Sequence, residues 1–160
     1  MTLLHFKEWK FLVDPEKTSA EYSKIKISGT ESCNCNNCKN YVAFRDHVFP
    51  KSIIELFSNL GIDYRKEVEI TYWEKLENGF HYIGGWFHFK GKILEGKKCN
   101  EPLPYGNGSI LSLKEIQKNF SIGFDEGKAM TLFEDQNDLI QLEFSTHIPW
   151  VIDKKLESEH

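Results

Sequence analysis

The sequence predicts a single α+β domain, with a helix pair from its N-terminal half packed on an antiparallel sheet of about five to seven strands. Two patterns carry that expectation. Apolar residues from Tyr41 to Leu60 recur at helical spacing, whereas from Val68 to Thr146 they mostly alternate with period two. The alternating runs are joined by short turn signals, of which Glu77-Asn78-Gly79 is the clearest, because Asn-Gly tolerates the positive φ of a type I′ turn. The chain length of 160 residues suits one domain, expected over 1–153, with 154–160 a polar, frayed tail. Apolar residues make up 40% of the chain and aromatics 14%, too much for a disordered chain.

Taken in order, Leu3–Val13 reads as one strand with a slip in its alternation, ended by Asp14-Pro15. Tyr22–Ser28 alternates and reads as a short strand stopped at Gly29. Tyr41, Phe44 and Val48 mark a helix closed by Pro50. Ile53, Ile54, Phe57 and Leu60 mark a second helix, with Gly61 as its C-cap glycine. Val68, Ile70 and Tyr72 define a half-buried strand that returns through the Asn-Gly turn as Phe80–Leu94. Gly84-Gly85 within that return suggests a bulge or a close backbone approach. Lys97–Gly108 reads as a polar loop and Leu113–Phe120 as one or two helical turns. Ser121–Phe124, Met130–Phe133 and Leu139–Thr146 read as strands, with Trp150 closing the end of the core.

Charge interrupts Met1–Lys10 too early for a signal peptide, and no stretch approaches the roughly 20 apolar residues of a membrane helix. The expectation is a cytoplasmic protein with no membrane association. A net charge of -4 argues against nucleic-acid binding, which draws on clustered Lys and Arg. In a reducing compartment, the four cysteines are free, metal-bound or catalytic rather than bridged.

Cys33, Cys35 and Cys38 form C-x-C-x-x-C, a spacing that gathers thiolates at little cost in chain entropy. A tetrahedral zinc needs a fourth ligand. Cys99 completes an all-thiolate set, and His47 and His88 are the alternatives. Such a zinc would be structural. Against it stand free thiols tucked into a loop, and a redox pair at Cys35 and Cys38, which lacks a thioredoxin-like βαβ context.

The segment Gly84–Phe89 gathers aromatics beside a histidine, and alternation puts Tyr82, Trp86 and His88 on one face, as a contact surface for another protein or a shallow pocket. A strand buried on both sides is the competing reading. His81 has no positioned carboxylate or nucleophile by spacing, and the acidic turn at Glu134–Asp138 lacks the pattern of a calcium loop. No nucleophile elbow, zinc-protease helix, phosphate loop or dinucleotide fingerprint is present.

Cys33-x-Cys35-x-x-Cys38-x-Asn40-Tyr41, Leu60-Gly61-Ile62-Asp63, Gly85-Trp86-Phe87-His88-Phe89 and Leu142-Glu143-Phe144 through Pro149-Trp150 together resemble a group of small bacterial proteins of unassigned activity. The similarity runs from about Lys26 to Val151 and implies a single intracellular domain, with no substrate or catalytic residue. The function expected is therefore non-enzymatic binding of another protein, with a structural zinc at the cysteines. A small enzyme using Cys35 or Cys38 as nucleophile, or a zinc with an open position, is the alternative.

Overall fold

The chain opens with a β-hairpin rather than with one slipped strand. In the computed structural model, which describes residues 1–127 and 130–158, β1 (Thr2–Phe6) turns at Lys7, whose φ is 53°, and returns as β2 (Trp9–Val13). The slip in period over Leu3–Val13 is this turn, where the chain reverses and the inward-facing set is re-phased. The next expectation is also overturned. Tyr22–Ser28 is not a strand, because Pro15–Ser23 forms helix α1 and Tyr22 is buried in its last turn. Asp14 caps that helix, Oδ1 accepting from the Lys17 N–H at 3.1 Å, with Pro15 in the first turn. The Asp-Pro pair that ends a strand also begins a helix.

The expected helix pair is present as α2 (Asn36–Phe44), a 3₁₀ turn (Arg45–His47) and α3 (Lys51–Leu60). On α3 the buried stripe is Ile53, Leu56, Phe57 and Leu60, with Ile54 turned outward. Gly61 ends the helix at φ 82°, and a Cβ there would lie 2.3 Å from the Pro15 carbonyl oxygen, so both conformation and space require glycine.

The remaining strands are β3 (Glu69–Lys75), β4 (His81–Glu95), β5 (Asn100–Pro102), β6 (Ser109–Leu111), β7 (Lys114–Gln117), β8 (Phe120–Glu126) and β9 (Leu139–Ile148). Lys114–Gln117 is extended, not helical, and turns at Asn119, φ 63°, into β8. Met130–Phe133 contains no strand, although Phe133 is buried. The sheet is antiparallel with order β1-β2-β4-β9-β8-β7, and β3 also pairs with β4. β5 and β6 form a separate hairpin.

The long β4 organises the molecule. One edge pairs with β3 from His81 to Trp86 and with β2 from Gly91 to Glu95; the other pairs with β9. Between those two partners the first edge has a gap, which α1 fills with side chains. Tyr22 Oη donates to the His88 carbonyl at 2.6 Å, and the Lys90 N–H donates to Thr18 Oγ1 at 2.8 Å. An unpaired buried strand edge is costly, and here a helix satisfies it.

Period-two alternation then sorts the faces. Ile83, Phe87 and Phe89 of β4, with Leu142 and Phe144 of β9 and Ile122 and Phe124 of β8, face the helices and are buried. Phe57 of α3 meets Phe87 with ring centroids 4.9 Å apart, and Phe49 meets Phe144 at 5.0 Å. Trp86, His88, Gln141, Glu143 and Asp125 fall on the opposite face.

The C-terminal segment is docked rather than frayed over its described residues. Glu157, with a side chain 3% exposed, sits 2.7 Å from His81 Nε2, and Ser158 Oγ donates to Asn37 Oδ1 at 3.0 Å. Residues 159–160 of the expected tail lie outside the described residues. No described helix is long and apolar enough to cross a membrane.

Candidate metal centre

The cysteine loop is held from below by charge. The Gly29 N–H donates to the Glu67 carbonyl at 3.0 Å, and a Cβ on Gly29 would fall 1.7 Å from the Val68 oxygen, so only glycine lets the chain pass this close. Ser28 Oγ donates to Glu67 Oε1 at 2.7 Å. Arg45 Nη1 reaches Glu67 at 3.2 Å and Glu31 at 3.5 Å. Glu67 is fully buried, and burial raises its carboxyl above the ordinary value despite Arg45. Glu31, exposed, is instead lowered, chiefly by the Ser28 N–H it accepts.

On this base Cys33, Cys35 and Cys38 converge, their Sγ atoms all within 4.8 Å of one another. Cys35 is the N-cap of α2, its Sγ accepting from the Cys38 N–H at 3.4 Å. Cys33 Sγ accepts from the Cys35 N–H at 3.5 Å and lies 3.3 Å from Cys35 Sγ. Thiolates bound tetrahedrally to one zinc at about 2.3 Å stand roughly 3.8 Å apart, so this cluster has the dimensions of one ion. The amide donors and the helix N-terminus favour negative sulfur. The Cys35 N–H is the main cause of a lowered Cys33 thiol. Burial, and then the neighbouring thiols, raise Cys38. Three thiolates this close repel without a cation, and a metal ion would relieve that repulsion. The cluster could therefore bind a metal ion.

The expected fourth ligands are elsewhere. Cys99 is not part of the cluster: it is 2% exposed on the helix-free side of the sheet, with Sγ 3.5 Å from Glu143 Oε2 and Cβ against Gly123. The segment carrying it crosses Gly123, where a side chain would collide, and this fixes it away from α2. His88 is also excluded, being fully buried on that same face with Nε2 donating to Gln141 Oε1 at 3.0 Å. Burial holds it below the ordinary histidine value, so it is neutral. His47 stacks on Phe44 at 5.7 Å and does not join the cluster. Among the described residues, no His, Cys, Asp or Glu supplies a fourth side-chain ligand within the cluster's reach. A hollow of about 400 Å³ lies beside Cys33 and Cys38, lined also by Thr30, Glu31 and Lys39.

The expected contact surface is divided. Tyr82, Trp86 and His88 do share a face, but His88 is sealed, and Tyr82 packs against Trp73 and His147 at 4.8 and 5.6 Å. Tyr82 borders a small hollow of about 340 Å³ with Trp73 and Ser145, whereas Trp86 opens onto a separate cleft of about 710 Å³, whose other walls include Asn100, Asp125, Gln141 and Glu143. None of these four stood out in the sequence. Alternation along β9 places Gln141 and Glu143 beside Trp86's face, and that was the one available signal. No protein-family model, curated protein or solved structure matches the chain.

Proposed function

We propose that this protein is a non-enzymatic binding protein whose Cys33–Cys38 loop holds a zinc ion, and that the ion fixes the shape of an exposed loop for contact with another protein. The observation that supports this reading is the convergence of three sulfur atoms within 4.8 Å, two of them accepting backbone N–H groups. Thiolates select soft or borderline ions such as zinc over magnesium or calcium. Cys33 and Cys35 are exposed, so the fourth position opens to solvent or to a partner's side chain.

Metal analysis of the purified protein tests the reading. One equivalent of zinc is expected in the parent and in C99S, with loss of zinc in C33S and C38S and a lower unfolding temperature for both. Zinc content equal in the parent and in a triple C33S/C35S/C38S variant would refute it. The enzyme alternative draws on one observation, the exposed and lowered Cys33 thiol. A metal-free protein in which Cys33 alone alkylates rapidly would favour it.

A further inference from the structure

We propose that the cleft on the helix-free face of the sheet binds a small organic cation, an ammonium or guanidinium group, between the Trp86 indole and the carboxylates of Glu143 and Asp125. The site lies away from the cysteine cluster and does not depend on it.

Strand register builds it. Trp86 of β4 stands directly opposite Glu143 of β9, and Glu69 of β3 stands opposite Trp86 on its other side. The next residue in the row is Gly123 of β8, which carries no side chain, so the floor beside Glu143 is open to the segment that bears Cys99. Asp125 lies one step along β8, opposite Gln141. Pro102 and Gly108, from the β5–β6 hairpin, add a wall suited to an aliphatic stem.

The charge balance of the cleft selects the ligand. Among the described residues Glu143 accepts only from neutral groups, Asn100 Nδ2 at 3.3 Å, the Cys99 thiol at 3.5 Å and the Gln141 side chain. Asp125 accepts from the N–H groups of Asn100 and Glu126, at 3.0 and 2.7 Å. Neither carboxylate has an ion-pair partner among the described residues. Lys98, the cation on the rim, is already paired with Glu126 at 3.0 Å. Gln141 is 94% buried, and its Oε1 is committed to His88. The capacity left over is carboxylate oxygen beside an aromatic ring, the combination that attracts an organic cation.

Two further observations agree. Burial raises the Glu143 carboxyl, and Asp125 adds to the rise, as expected of a carboxylate lacking a cation. A volume of about 710 Å³ is far more than a bare metal ion fills and lies within the usual range for small-molecule pockets.

Titration of ¹⁵N-labelled protein with butylammonium and with methylguanidinium, followed by NMR, tests the proposal. Saturable shifts are expected at the Trp86 indole N–H and the Gly123 amide, with little response to butanol, the neutral counterpart of butylammonium. E143Q should weaken binding about tenfold or more and D125N several-fold, with thermal melts confirming that both variants fold. A lysine-containing peptide binding more tightly than the free amine would identify a protein side chain as the source of the cation. Equal affinities would identify a free amine. Butanol binding as tightly as butylammonium, saturation by calcium alone, or no saturable shift at millimolar cation would each overturn the proposal.

Discussion

Arg45 and Glu67 show how much one pair of residues decides. Neither stands out in the sequence, since each sits among other charges, Arg45 beside Asp46 and Glu67 after Arg65-Lys66. Folding brings them to 3.2 Å, with Glu67 fully buried, and on this pair rests the turn that leads into Cys33. Removing one partner of a buried pair leaves an uncompensated charge, at a cost of about 3–5 kcal/mol. R45M should therefore destabilise the protein by about that amount in chemical denaturation. E67Q should cost less, because it removes a carboxylate that burial already disfavours and leaves Arg45 with Glu31. Equal losses from the two variants would contradict this account. The cysteines are the opposite case, since their spacing in the chain is their spacing in the site. Cys99 is the warning, because no spacing rule could say which side of the sheet its loop would cross.

At the scale of elements, the alternating runs that became β3, β4, β8 and β9 were legible because each buries one face, which writes period two into the chain. The hairpin of β1 and β2 looks like one strand in the sequence because its turn, Lys7-Glu8, holds neither glycine nor asparagine. Helix α1 is hidden in the sequence because its capping Asp-Pro also ends strands and its short amphipathic face is weak. Its role became visible only with the gap in β4's edge. Y22F would leave the His88 carbonyl without the 2.6 Å bond from Tyr22, and should cost about 1–3 kcal/mol. Hydrogen exchange at the β4 amides around His88 should speed up in that variant. Unchanged exchange there would show that α1 does not seal the edge.

The whole molecule is closed by its C-terminal segment. Glu157 lies 2.7 Å from His81, 2.9 Å from Lys154 and 3.4 Å from Lys75, and these contacts, His81 first, hold its carboxyl at about 2. A carboxyl lowered on folding stabilises the docked state above its unfolded value, near 4.5, and that stabilisation is lost as pH falls through the folded value. The segment should stay docked well below pH 4.5 and release only as pH nears 2, followed by the indole shift of Trp150, whose ring lies 5.4 Å from that of His81. Release centred near 4.5 would show that the carboxylate gains nothing from the dock. In the sequence this segment was only a polar tail, because its partners lie as far back as Asn37 and His81. The sequence by itself determined the class of fold, the helix pair and the three neighbouring thiols, since periodicity and short spacing are local and survive as written. Only the tertiary structure decided the side of the sheet on which Cys99 lies, the closing of β4's edge by α1, and the meeting of Trp86 with Glu143. Each depends on residues distant in the chain, whose pairing is set by register and by which atoms can fit.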